Sequence, residues 1–122
     1  MRVLVVEDDH LVRRLMADDL TEAGYCVTEA NNADDAISTL DSGGAVQLIV
    51  TDVRMPGSLD GFALARCVKA KWPAMKILVV SGFANEDGNA IRSYDAFLGK
   101  PFTGTTLRKA ITNLIGGPAA AL

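Results

Sequence analysis

The sequence predicts an α/β protein built on a doubly wound, five-stranded parallel sheet. Short apolar runs alternate five times with segments of helical periodicity, which is typical of a parallel sheet with helices on both faces. The runs are continuous, as in Val3–Val6, and this indicates strands that are buried on both faces. Polar residues follow the ends of four runs, at the sheet edge where ligands bind in this fold class.

Right-handed crossovers and one reversal of winding predict the strand order 2-1-3-4-5, which is a flavodoxin-like arrangement in a single domain. The second run is less apolar than the first, so we expect it near an edge of the sheet. The five predicted strands are Val3–Val6, Tyr25–Ala30, Val46–Val50, Lys76–Val80 and Ala96–Leu98.

Helix boundaries follow from residues whose side chains can cap a first turn. We expect Asn31 or Asn32 to cap the second helix, because an asparagine oxygen accepts hydrogen bonds from free backbone amides. Asp60 is expected to cap the third helix, and Thr103 or Thr105 the last one.

Composition restricts the kind of protein. The chain has 122 residues, of which 49% are hydrophobic and 22% charged, as in an ordinary globular domain. Its formal net charge of -3 argues against direct nucleic-acid binding, and no apolar run approaches the ~20 residues of a membrane helix.

The amino terminus lacks the features of a signal peptide, so we expect a cytoplasmic location. Cys26 and Cys67 are expected to be free, partly buried thiols. Residues 1–122 are interpreted as one domain, with 116–122 as a frayed end or the root of a linker.

Asp52 is the residue around which the predicted site is organised. It follows the third apolar run, and a turn containing proline and glycine comes next. An aspartate at this place often does no more than cap the turn. Four further polar residues occupy the equivalent place after other strands, so we expect all five side chains at one edge of the sheet. These residues are Glu7, Asp8, Ser81 and Lys100.

Three carboxylates crowded at one sheet edge would repel one another. At ~4 Å and an effective dielectric constant of about 20, one like-charge pair costs about 4 kcal/mol. A hard divalent cation with oxygen ligands removes this repulsion, and Mg²⁺ suits such a site. A metal and Lys100 beside Asp52 also suit a phosphoryl group, so the expected chemistry is attack by an Asp52 oxygen on a phosphoryl donor, giving an acyl phosphate. Ser81 could donate a hydrogen bond to the phosphoryl oxygens.

These motifs, in this order and over nearly the whole chain, resemble the receiver domain of two-component response regulators. The motifs are Glu7-Asp8, Asp52 with Met55-Pro56-Gly57, Asp60-Gly61, Ser81-Gly82 and Lys100-Pro101-Phe102. The resemblance implies that Asp52 accepts a phosphoryl group from the histidine of a histidine kinase or a histidine phosphotransfer protein. Such a domain switches a partner-binding surface and catalyses only its own phosphorylation and dephosphorylation, so we expect no enzyme activity on other substrates.

The resemblance also implies roles for residues within the site. The Mg²⁺ ligands that it implies are Glu7, Asp8, Asp52 and the backbone carbonyl of Arg54. Ser81 and Phe97 would reorient when phosphate is bound, and Lys100 would contact that phosphate. The sequence does not identify the downstream protein partner, and it predicts no direct contact with nucleic acid or membrane.

The chain departs from the family pattern in two places. Ser58-Leu59 adds a residue to the turn before Asp60, and the stretch from Ser81 to Lys100 is a few residues short. Within that stretch, Phe83–Tyr94 contains poor helix formers, so any helix there should be short or mobile.

The Lys100–Pro101 peptide is predicted to be cis. The lysine must turn back toward Asp52 while the proline leads into the last helix, and an X–Pro bond loses only about 0.5–1 kcal/mol in the cis form. Receivers similar to this chain have a cis bond at the matching position. We therefore expect the lysine ammonium to point at the acidic residues.

Two other functions are weighed against this one. An aspartate-dependent phosphatase or phosphotransferase acting on small substrates would need a second acid two residues after its nucleophile, where this chain has Arg54. A nucleotide- or flavin-binding domain would need glycine, serine or threonine in its first turn, where this chain has acids. His10 is interpreted as an exposed first-turn residue rather than a metal ligand, and Trp72 as helix packing far from Asp52.

Overall fold

Five strands and four helices make up the part of the chain that the computed structural model describes, which is residues 1–43, 45–53, 60–81 and 94–116. Their bounds are β1 Arg2–Val6, α1 His10–Glu22, β2 Cys26–Ala30, α2 Ala33–Asp41, β3 Leu48–Asp52, α3 Gly61–Lys71, β4 Lys76–Ser81, β5 Ala96–Gly99 and α4 Gly104–Ile115. The strands lie parallel in one sheet with the order β2-β1-β3-β4-β5, which confirms the predicted fold class. β2 lies at an edge, as its composition predicted.

The third strand begins and ends two residues later than the sequence predicted. The apolar run is Val46–Val50, but the strand is Leu48–Asp52. Thr51 and Asp52 belong to it because they continue the pairing with β4, where Asp52 lies opposite Val80. The strand extends as far as its backbone pairing does, so Asp52 is its last residue rather than the first residue of a loop.

Each face of the sheet packs against its own hydrophobic core. One core joins the sheet to α2 and α3, and the other joins it to α1 and α4. In β1, Leu4 and Val6 enter the first core. Val3 and Val5 enter the second. All four side chains are fully buried, which explains why the strands appear in the sequence as continuous apolar runs.

A side chain caps the N-terminus of each described helix. The caps are Asp9 for α1, Asn32 for α2, Asp60 for α3 and Thr103 for α4. Each contributes an oxygen that accepts a first-turn backbone N–H, a group with no partner inside the helix. The structure therefore selects Asn32 over Asn31 and Thr103 over Thr105, the alternatives that the sequence left open.

Trp72 lies at the opposite edge of the sheet from Asp52, as predicted. It is the C-cap of α3 and lines a cavity of about 680 Å³. Met1 and Gln47, which directly precede β1 and β3, line the same cavity. Asp52 instead closes β3 at the carboxyl edge.

Both cysteines are free thiols, as predicted. Cys67 is partly buried as expected, but Cys26 is exposed, because it begins the edge strand β2. Among the residues that the structure describes, no helix has the length and apolar character needed to span a bilayer. The predictions made for Arg54, for the turn at 55–59, for the stretch 83–93 and for the tail after Gly116 lie outside the described residues.

Replacing Asn32 by alanine should lower the free energy of unfolding by about 1 kcal/mol, because the Asp35 amide loses an acceptor that lies 2.8 Å away. Asn31→Ala is the matched control, since Asn31 is exposed and precedes the cap, and it should change stability little. Urea unfolding followed by circular dichroism measures both variants. Equal losses in the two variants would contradict a capping role that is specific to Asn32.

Candidate functional site

Three carboxylates meet where β1 and β3 end. Glu7 directly follows β1, and Asp52 closes β3. The two strands are neighbours, with Val6 paired to Thr51, so Glu7 and Asp52 lie side by side. Asp8 adds the third carboxylate, and one oxygen from each of the three acids lies within 4.8 Å of the others. The sheet thus brings together the three acids that the sequence placed at this edge.

Both carboxylate oxygens of Asp52 have a hydrogen-bond donor. Oδ1 accepts the backbone N–H of Val53 at 2.8 Å, and Oδ2 accepts from Lys100 Nζ at 3.0 Å. The Thr51 hydroxyl donates to the backbone carbonyl of Asp52 at 2.9 Å. The Asp52 side chain is only 15% exposed, so its carboxylate is fixed in orientation but still reachable from solvent.

Gly61 lets the start of α3 approach the end of β3 closely. Its amide donates to the Val53 carbonyl at 2.8 Å. A Cβ atom at this position would lie 2.1 Å from the backbone oxygen of Asp52, which is far inside van der Waals contact. Only glycine can occupy this place without displacing Asp52, so α3 and the acid are positioned together.

Lys100 reaches both Asp52 and Glu7. The Lys100–Pro101 peptide is cis, as predicted. The lysine Nζ lies 3.0 Å from Asp52 Oδ2 and 3.2 Å from Glu7 Oε1. The backbone amide of Lys100 donates to the Ser81 carbonyl at 2.7 Å, which anchors the residue to the end of β4. Its ammonium charge offsets part of the repulsion between the two carboxylates.

Two groups in the site, Glu7 and Lys100, have pKa values above their ordinary values. Burial, the largest cause, and the charge of Asp52 raise the pKa of Glu7 to about 7, although the Asp9 amide and Lys100 act in the opposite direction. For Lys100, burial alone lowers the pKa, but hydrogen bonds and charge interactions with Asp52 and Glu7 outweigh it and hold the pKa above its ordinary value. Lys100 therefore stays an ammonium at neutral pH, whereas Glu7 changes charge there.

Ser81 and Phe97 lie on the two strands beyond Asp52. Ser81 is the buried last residue of β4 and follows Val80, which pairs with Asp52. Phe97 is a half-buried residue of β5, and its ring centroid lies 6.3 Å from that of Tyr94. Ser81 therefore ends the strand next to β3, and Phe97 lies on the strand that leads to Lys100.

Sequence reasoning missed one residue that contacts the site. Arg13 of α1 is buried, and its Nη1 donates to the backbone carbonyl of Glu7 at 2.9 Å. The spacing contained the signal, because positions 13, 16, 17 and 20 form the buried stripe of α1. His10 is exposed at the start of α1, as predicted, and its ring contacts Arg13 instead of joining the three acids.

The donor set of the three acids consists of oxygen atoms only. Carboxylate oxygens are the ligands that hard divalent cations prefer, and one oxygen from each acid is close enough to the others to share an ion. Repulsion from Asp52 contributes, after burial, to the raised pKa of Glu7, so added positive charge at this edge would be favourable. The residues present therefore could hold a divalent cation.

Comparisons with known proteins agree with this fold. The family model described as the response regulator receiver domain matches residues 3–112. The response regulator receiver protein CpdR of Brucella abortus is 38% identical over 105 residues, which cover 83% of this chain and 85% of that protein. The sensor histidine kinase RcsC of Salmonella typhimurium is 32% identical over 114 residues, which cover 91% of this chain but only 12% of the kinase.

Solved structures have the same fold. The response regulator TrrA from Thermotoga maritima, in complex with Mg(2+)-BeF, has a TM-score of 0.86 at 27% identity, covering 93% of this chain and 98% of that one. The chemotaxis protein CheY4 of Vibrio cholerae has a TM-score of 0.85 at 26% identity, with the same coverage of 93% and 98%. The chain therefore belongs to the response regulator receiver domain family, whose members pair with histidine kinases.

Replacing Glu7 by glutamine should reduce the loss of stability that the protein shows as pH rises. The pKa of Glu7 is about 7 in the folded protein and has an ordinary value of 4.5, so the folded state binds more protons between these values. The stability linked to protonated Glu7 is present below pH 4.5 and is lost as pH rises through 7. Urea unfolding in metal-free buffer from about pH 5 to about pH 8 measures this slope.

Glu29→Gln is the control for this measurement. Hydrogen bonds from Arg14 and Arg13 lower the pKa of Glu29 against the effect of burial, so Glu29 stays charged over the whole range. We expect this variant to keep the wild-type slope even if its stability is lower. The same slope in Glu7→Gln as in the wild type would contradict the raised pKa of Glu7.

Proposed function

We propose that this receiver domain is a phosphoacceptor, in which Asp52 takes the phosphoryl group from the phosphohistidine of a histidine kinase or a histidine phosphotransfer protein, with Mg²⁺ as cofactor. The observation that carries the proposal is the 3.0 Å contact between Lys100 and Asp52 inside a group of three carboxylates. A carboxylate nucleophile, further acids for a cation and a fixed lysine are what phosphoryl transfer to aspartate requires.

The transfer forms one bond and breaks another. An oxygen of Asp52 attacks the phosphorus and forms an O–P bond, while the N–P bond of the phosphohistidine breaks and its electron pair returns to the imidazole nitrogen, which binds a proton. The amide of Val53 and the ammonium of Lys100 hold the attacking carboxylate in place. Mg²⁺, when bound, neutralises the negative charge on the phosphoryl oxygens.

The remaining site residues receive the roles that family membership suggests. The proposed Mg²⁺ ligands are Glu7, Asp8, Asp52 and the backbone carbonyl of Arg54. Lys100 contacts the phosphoryl oxygens after transfer, and its position on Asp52 Oδ2 supports this role. Ser81 and Phe97 reorient on phosphorylation, and their places on β4 and β5 beside the site support this. Their movement would change the surface that the downstream partner binds.

We further propose that the domain catalyses only its own phosphorylation and the hydrolysis of its acyl phosphate. No observation favours a phosphatase or phosphotransferase acting on small substrates. The relatives include both CpdR, which has a similar length, and the much longer RcsC, so both a separate receiver and a receiver within a larger protein are compatible with this proposal. The cytoplasmic location remains a prediction from the sequence.

An apolar patch on α1 lies next to the acceptor and suits the phosphodonor protein. Leu11 and Leu15 are 67% and 61% exposed, although large apolar side chains are usually buried. Leu15 lines a cavity of about 490 Å³ whose lining also includes Lys100 and Phe102. Because Lys100 contacts Asp52, a protein that brings a phosphohistidine to Asp52 is well placed to cover this patch.

Incubated with Mg²⁺ and acetyl phosphate, the wild-type protein should gain one phosphoryl group, and Asp52→Asn should gain none, because an amide is not a nucleophile for phosphorus. Intact-mass spectrometry measures the gain. Asp60→Asn is the matched control: Asp60 caps α3, and asparagine is an equally good cap, so this variant should be labelled like the wild type. Full labelling of Asp52→Asn would overturn the proposal. Sustained turnover of a small phosphate ester would favour the phosphatase alternative.

Replacing Leu15 by alanine should slow transfer from a phosphorylated histidine phosphotransfer protein by about fivefold, because truncating a central interface residue costs about 1 kcal/mol or more. Labelling by acetyl phosphate should be unchanged, since that donor needs no docking surface. Thr21→Ala, an exposed neutral change in the last turn of the same helix, is the control and should transfer normally. Equal transfer rates in Leu15→Ala and Thr21→Ala would show that the patch does not bind the donor.

A further inference from the structure

Arg13 is a buried charge near the acids, and each of its three nitrogens contacts a different partner. Its side chain is 10% exposed. Nε donates to Glu29 Oε1 at 3.0 Å, and Nη1 donates to the Glu7 carbonyl oxygen at 2.9 Å. Nη2 lies 2.9 Å from His10 Nδ1, and because a guanidinium can only donate, the ring nitrogen accepts. A buried arginine requires such partners, because an unpaired buried charge is very costly.

The bond to the Glu7 carbonyl ties α1 to the end of β1. The strand ends at Val6, so this carbonyl lies beyond it, and a buried backbone oxygen needs a donor. The amide of Glu7 donates to the Ala30 carbonyl of β2 at 3.1 Å. The backbone of Glu7 is therefore held from β2 at its amide and from α1 at its carbonyl.

The planarity of the peptide unit transmits this constraint to Asp8. The Glu7 carbonyl and the Asp8 amide belong to one rigid plane, so a donor that fixes the oxygen also fixes where Asp8 begins. On the other side, the Asp9 amide donates to Glu7 Oε2 at 3.1 Å. The Asp8 side chain is exposed, so the backbone rather than packing determines where its carboxylate lies.

We propose that Arg13 is a positioning residue for the cation site: its bond to the Glu7 carbonyl orients the Glu7–Asp8 peptide so that both carboxylates can bind one ion together with Asp52. The inference rests on the proposed function, because it concerns the Mg²⁺ ligands named there. Arg13 itself contacts neither the cation nor the phosphoryl group.

Charge and geometry predict opposite effects of removing this side chain. Loss of a positive charge beside acidic ligands strengthens cation binding by Coulomb attraction alone. Loss of a donor that orients the ligands weakens binding, and removing such an outer partner typically costs about tenfold or more in metal affinity. The sign of the change therefore separates a positioning role from a purely electrostatic one.

Titration of the metal-free protein with MgCl₂, followed by NMR of the backbone amides, measures Mg²⁺ binding without phosphorylation. Arg13→Met should raise the Mg²⁺ dissociation constant about tenfold. Arg14→Met is the matched control, because Arg14 carries the same charge and also bonds to Glu29, at 2.7 Å, but its Nη2 donates to Asp18. Its dissociation constant should be unchanged or lower. Asp8→Ala removes a proposed ligand, so its Mg²⁺ dissociation constant shows how large the effect of losing a ligand directly is.

Arg13→Lys tests whether a lysine partly restores the Mg²⁺ affinity. This variant also provides the test if Arg13→Met does not fold. Lysine keeps the charge and one donor nitrogen, which cannot serve three partners, so we expect a dissociation constant between those of the wild type and Arg13→Met. A wild-type or lower dissociation constant in Arg13→Met, or a wild-type value in Arg13→Lys, overturns the inference and leaves the proposed function intact. A wild-type protein that does not bind Mg²⁺ overturns both.

Discussion

Charge balance among Glu7, Asp52 and Lys100 is the constraint on which the rest of the site depends. Two carboxylates lie side by side at a partly buried edge, where their repulsion is stronger than in water. Lys100 bonds to both acids, and Glu7 takes up a proton near neutral pH. Neither the charge of Lys100 nor the protonation of Glu7 removes the repulsion fully, because Asp8 adds a third carboxylate. The edge therefore favours additional positive charge, which is also what the proposed phosphoryl transfer would require.

Backbone contacts hold Glu7, Asp52 and Lys100 in their relative positions. The geometry of the site therefore depends on the sheet and not on side-chain packing alone. Glu7 and Asp52 end neighbouring strands, and Lys100 is anchored through its amide to Ser81 at the end of β4. The start of α3 is fixed against β3 at Gly61, where any side chain would collide with the carbonyl of Asp52. A small shift of one strand would thus move a carboxylate, the lysine or the helix that follows.

The strands, the caps and the acids followed from local sequence patterns, whereas the missed features depend on partners far apart in the chain. Apolar runs and polar residues after them are visible over a few positions, and handedness rules then order the strands. The end of β3 was misplaced because pairing with β4, not hydrophobicity, carries it to Asp52. Arg13 was missed because it is charged, and its burial depends on Glu29 and the Glu7 carbonyl. The raised pKa of Glu7 likewise needs three-dimensional burial.

Lys100 and a divalent cation would serve the same carboxylates, and this connects charge balance with switching in the proposed function. The ammonium is shared between Asp52 and Glu7 at 3.0 and 3.2 Å. A cation bound by the acids would supply the compensation that Lys100 provides, so the lysine side chain could follow a phosphoryl group on Asp52. Its amide is tied to Ser81 at the end of β4, and Phe97 lies on β5, the strand that Lys100 directly follows. Movement of the Lys100 side chain would therefore act on the ends of β4 and β5. In the proposed function, the contact of Lys100 with Asp52 would thus stabilise the unphosphorylated site and would also be suited to signal phosphorylation.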